Sequence, residues 1–154
     1  MAKFRFNLQT VLRYRKIMED QRRREFAEAS RLAETERGRL GELEAERSEV
    51  QDEIVRLYSE RAPFQSVVDS YHMIGRLEGL KAASLERQRQ LDQVVEDRRK
   101  VLVKARQETQ IMETLREHRR EEFVREQDQR EQAIVDELSI QARGRRLREE
   151  ELGS

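Results

Sequence analysis

The stretch LGELEAERSEVQDEIVRLYSERAPFQSVVDSYHMIGRL, residues 40–77, decides the fold of this chain. Its first part places Leu40, Leu43, Arg47, Val50, Ile54 and Leu57 in alternating steps of three and four residues. That spacing keeps six side chains on one stripe of a slightly underwound helix, the stripe a coiled-coil partner requires. The pattern stops at Pro63, which lacks an N–H and disfavours helical geometry at Ala62. It resumes as Leu77, Leu80, Ser84, Arg87, Leu91, Val94, Arg98, Val101, Ala105, Glu108, Met112 and Leu115. Backward from Leu40 it continues through Ala33, Ala29, Phe26, Arg22, Arg15, Leu12 and Leu8, thinning where Ala and polar residues occupy the seam.

These runs predict an all-α chain of two long helices forming an antiparallel coiled-coil hairpin. Helix one is expected over about 7–61, the turn near Pro63 at 62–66, and helix two over about 67–142. The whole reads as a single elongated domain, 1–154, with a disordered tail at 143–154. Asn7 is the expected N-cap of helix one, with Phe6 and Val11 as a hydrophobic staple. Ser66 and Asp69 fit a capping pattern for helix two. Helix two is longer and should extend past helix one. Gly75 and Gly79 suggest close helix approach or flexibility near the turn. The polar seam residues Arg47, Arg87, Arg98 and Glu108 should weaken the coil while helping to set its register.

Composition supports helix and excludes most chemistry. The chain has 154 residues, 42% charged and 36% hydrophobic, with one Pro, no Trp and no Cys. That is too little apolar surface for a broad globular core, and the abundance of Arg, Glu, Gln, Leu and Ala favours helix over disorder. Without Cys there is neither a disulfide framework nor a thiolate metal site. No apolar run approaches the roughly 20 residues that cross a bilayer, so a cytoplasmic protein with no direct membrane insertion is expected. The two histidines, His72 and His118, lack the converging groups that a nucleophile or metal site needs. No catalytic residue, cofactor or metal is assigned, and the chain is not read as an enzyme.

Charge is balanced overall, with 32 basic and 32 acidic residues, but it is segregated. Residues 1–24 hold eight basic and two acidic side chains, and residues 25–60 hold five and eleven. The basic start, with Phe4 and Phe6, suits either a solvated face or a docking surface for an acidic protein partner. Interleaved acids argue against nucleic acid. Near the turn, Tyr58, Phe64, Tyr71 and Ile74 gather with Met73, to seal the hairpin by burial or to dock a partner.

The opening residues Phe4, Phe6, Leu8, Val11, Leu12 and Arg15 follow an F-x-F-x-L-x-x-V-L-x-x-R pattern. Glu113, Leu115, Arg119, Glu122 and Phe123 follow E-x-L-x-x-x-R-x-x-E-[FY]. Together they resemble the FliJ family of flagellar export proteins over nearly the whole chain. The resemblance implies a non-catalytic stalk of the bacterial flagellar type III export apparatus, similar to the central stalk of rotary ATPases. It implies three partners: the hexameric flagellar export ATPase, an export-gate membrane protein and export chaperones. It also implies a chain that is a monomer when free and sits peripherally at the membrane of the flagellar base. By matching positions, Phe4, Phe6, Leu8, Val11, Leu12, Arg15, Leu115, Arg119, Arg120 and Phe123 become the expected ATPase contacts, with Glu113 beside them. Tyr58, Phe64, Tyr71 and Ile74 become the expected gate contacts. The rival readings are the equivalent stalk of a virulence-type secretion system, a purely structural coiled coil, and an Arg-rich RNA-binding module.

Overall fold

The computed structural model describes residues 2–153 and contains two helices among them, α1 (Gln9–Ser59) and α2 (Phe64–Leu152), with no strand. The two pack against each other, as the heptads predict. Cohesion divides the chain into two compact units where one was expected, Met1–Lys16 with Gln107–Ser154, and Ile17–Arg106. The boundary falls where the α1 seam reads Arg15, Glu19 and Arg22, three polar positions in succession.

Within Ile17–Arg106 the helices run antiparallel. As α1 ascends through Glu25, Glu36, Glu44 and Arg47, its ion-pair partners on α2 descend through Arg98, Arg87, Lys81 and Glu78. The exposed pairs among them contribute only about 0–1 kcal/mol each. Their value lies in register, since a slip of one heptad would set Glu25, Glu36, Glu44 and Arg47 opposite uncharged residues. Arg47, Arg87 and Arg98 all take part, each reaching an acid on the opposite helix, although Arg87 and Glu108 lie one residue off the seam, where Gln88 and Thr109 stand instead.

The α1 stripe matches the expected positions, with Ala29, Ala33, Leu43 and Ile54 buried. It also includes Glu36, which is 7% exposed and which the apolar pattern passes over. The α2 stripe needs a correction. Leu77, Ser84, Leu91, Ala105 and Met112 face inward as expected, but the alternate positions are one residue later, at Lys81, Gln88, Val95, Leu102 and Thr109. Leu80, Val94 and Val101 are correspondingly 39%, 42% and 41% exposed. Val94-Val95 and Val101-Leu102 offer an apolar side chain in either phase, so periodicity alone could not choose between them. On the facing helix, buried Glu36 requires a donor. The Ser84 hydroxyl supplies it at 2.5 Å, and Gln88 occupies the next inward position.

The turn is also shifted. It spans residues 60–63 rather than 62–66, and α2 starts at Phe64. Ser66 lies inside the first turn of α2 and donates its N–H to the Pro63 carbonyl at 3.0 Å, so Ser66 is not the cap. Pro63 takes that position, where its missing N–H costs nothing. α1 closes with the Ala62 N–H on the Leu57 carbonyl at 3.0 Å and the Arg61 N–H on the Tyr58 carbonyl at 3.3 Å. This pair of bonds is a Schellman motif, whose penultimate position usually carries glycine in the left-handed region. Here Arg61 occupies it with φ 51°. Arg61→Gly should therefore raise stability by about 1 kcal/mol, and Arg61→Val should lower it, in thermal melts followed by circular dichroism.

Gly75 and Gly79 have open space where a Cβ would project, so they mark no close helix approach. The first helical bond of α1 runs from the Leu12 N–H to the Leu8 carbonyl, which makes Leu8, not Asn7, the N-cap. The Phe6–Val11 staple is lost with that shift, because the corresponding positions become Asn7 and Leu12.

α2 does not end at 142. It continues to Leu152, through the stretch read as a disordered tail; Ser154 of that stretch lies outside the described residues. Arg and Glu dominate here and are strong helix formers, enough to carry the helix past Gly144. Residues 128–143 and 145–153 are exposed throughout.

Candidate functional site

The unit formed by Met1–Lys16 and Gln107–Ser154 carries the densest set of residues singled out by pattern. Before α1 begins, the non-helical segment at residues 2–8 lies along α2. Phe4 stacks at a tilt of 50° on Phe123, with ring centroids 5.8 Å apart. Aromatic pairs at this separation add about 0.5–1.5 kcal/mol beyond the area they bury. Phe4 and Phe6 are half-buried although neither belongs to a helix.

The arrangement leaves a groove of about 620 Å³ with Phe4, Phe6, Leu8, Leu115, Arg119 and Phe123 among its lining residues. Six of the ten expected contact residues, from two motifs separated by over a hundred positions, thus meet in one place. The other four go elsewhere. Leu12 is fully enclosed at 0% exposure and serves the core, so a partner cannot touch it without parting the helices. Arg15 is held by Glu108 at 2.6 Å. Val11 is 39% exposed and is not part of the groove lining. Arg120 joins Lys16, Glu113, Arg116 and Glu117 around a separate recess. There its hydrogen bond to Glu117, at 2.9 Å, holds that carboxyl below its ordinary range.

Sequence reasoning missed Lys3, Arg5 and Arg116. Lys3 and Arg5 line the groove, and Arg5 and Arg116 line a smaller recess of about 320 Å³ beside Phe4 and Phe6. The excess of basic residues over 1–24 was the signal for the first two. Arg116 is one of many arginines on α2, and only folding places it beside Arg5.

In the unit Ile17–Arg106, the aromatics near the turn do not seal it by burial. Tyr58, Phe64 and Tyr71 are 60%, 80% and 53% exposed, while Ile74 is half-buried on the α2 seam. A hydrogen bond with Tyr71 raises the Tyr58 hydroxyl above its ordinary value. His72 and His118 are both exposed, and no group of acidic residues or histidines among the described residues could hold a metal ion. No helix among the described residues is long and apolar enough to cross a membrane.

The family model for the flagellar FliJ protein matches residues 4–148. Among curated proteins and among solved structures there is no significant match. With nearly all of its length matched, the chain belongs to the FliJ family.

Proposed function

We propose that this protein is a non-catalytic stalk that binds and stimulates the flagellar export ATPase through the Phe4–Phe123 groove. Membership of the FliJ family supports association with flagellar export and a role other than catalysis. The observation that carries the finer reading is the meeting of the F-x-F-x-L start with Leu115, Arg119 and Phe123 in one open groove. The exposed Tyr58, Phe64 and Tyr71 form a second contact surface, suited to the export-gate membrane protein, and export chaperones complete the set of partners. The chain works beside the membrane at the flagellar base, and as a monomer when free.

ATP hydrolysis by the cognate export ATPase tests this, titrated with the full chain and with the Phe4→Ala/Phe6→Ala variant. The full chain should stimulate turnover, and the variant should need about tenfold more protein for the same effect, the equivalent of about 1.4 kcal/mol. No stimulation by the full chain, with helical content intact, would overturn the stalk reading and favour a purely structural coiled coil.

A further inference from the structure

We infer that the groove between residues 3–8 and α2 docks a short acidic, amphipathic segment. One of its apolar side chains seats between Phe4, Phe6, Leu115 and Phe123, and its carboxylates reach Lys3, Arg5 and Arg116. The inference rests on reading this unit as a docking end and adds the chemistry of what it grips.

The charges of this unit are unequally satisfied. Its acids beside the groove are already engaged, Glu113 by Lys16 at 3.6 Å, Glu117 by Arg120 at 2.9 Å and Glu122 by Arg119 at 3.6 Å. Lys3, Arg5 and Arg116 have no carboxylate partner within ion-pair distance among the described residues, and they flank the half-buried phenylalanines. Glu126 is the one lining carboxylate left without a basic partner. The free charge of the groove lining is therefore two cations, Lys3 and Arg5, against one anion, Glu126, with Arg116 added from the adjoining recess and an apolar floor between them.

An acidic segment satisfies both features at once, whereas a basic one would face unpaired like charges. Arg5 is exposed while Phe4 and Phe6 on either side of it are half-buried. The aromatic can then line the floor while the guanidinium stays at the rim. Rim charges of this kind act mainly on partner choice and on the rate of encounter.

The test uses the full chain and the dye 1-anilinonaphthalene-8-sulfonate, which combines an apolar ring system with a fixed negative charge. Dye fluorescence should rise on binding, and affinity should fall about tenfold in Arg5→Glu/Arg116→Glu and again in Phe123→Ala, while Phe64→Ala leaves it unchanged. A Leu-centred peptide of Glu and Asp should displace the dye, and its Lys-substituted counterpart should not. Circular dichroism checks that each variant stays helical. The inference is overturned if the charge reversal leaves affinity intact, if both peptides displace equally, or if only Phe64→Ala abolishes binding. The ATPase titration answers a separate question: charge-selective dye binding without ATPase stimulation would keep the acidic-segment inference and remove the stalk reading.

Discussion

Leu12→Ala should destabilise the chain by about 2–5 kcal/mol, the usual cost of emptying a fully buried leucine site. Leu12 is 0% exposed, whereas its neighbour Val11 is 39% exposed and Val11→Ala should change stability by about 0.5 kcal/mol or less. Urea unfolding followed by circular dichroism compares the two. The contrast is a direct reading of the phase of α1, because the residues are adjacent and both aliphatic. Equal losses would mean that the helix is rotated from its assigned face. Leu12→Ala should also weaken ATPase stimulation, by loosening the helix start that positions Phe4 and Phe6.

The second large effect concerns the polar layer of Glu36, Ser84 and Gln88, which are 7%, 2% and 8% exposed. Removing only the hydroxyl, as in Ser84→Ala, should cost about 1–3 kcal/mol, because the buried Glu36 carboxylate loses a donor. Replacing the layer together, Glu36→Leu with Ser84→Ala and Gln88→Leu, should instead stabilise by about 1–4 kcal/mol. The opposite signs follow from desolvation: a buried charge with an incomplete set of partners is costly, and a layer without charge avoids that cost. The Gln88 Oε1 already lacks a hydrogen-bond partner, so the layer is under-satisfied as it stands.

We expect the gain in stability to come with loss of register. The chain has no cysteine, so Arg47→Cys/Glu78→Cys introduces the only two thiols. A short thiol cross-linker should join them efficiently in the native background, where Arg47 and Glu78 pair at 3.0 Å, and less efficiently when the layer is apolar. A fall in melting temperature of the triple variant would show that the layer supports the coil outright and is not a register device.

Much of this architecture was legible in the primary structure because coiled coils are encoded locally. The three-and-four spacing from Leu40 to Leu57 specifies a helix and its buried stripe without reference to anything distant. One proline, at the only interruption of the pattern, locates the turn. The FliJ-like patterns at the N-terminus and at Glu113–Phe123 are local too. What was not legible was anything that depends on two segments at once. Doublets such as Val94-Val95 are compatible with two helix phases, and which member faces inward depends on how the other helix packs against it. The turn was misplaced because Pro63 and Ser66 compete for one cap, and backbone closure through Arg61 and Ala62 decides between them.

The same division holds for the candidate site. Composition and pattern by themselves determined an all-α chain, its helical stripes, and the residues Phe4, Phe6, Leu115 and Phe123 as worth attention. Only the tertiary structure decided that these four share one groove, that Leu12 is withdrawn into the core, and that Arg5 and Arg116, without an ion-pair partner among the described residues, share the adjoining recess. The physical reason is one of range. Helical periodicity is dictated by neighbours three and four residues away, whereas burial and ion pairing depend on what the other helix presents at the same level.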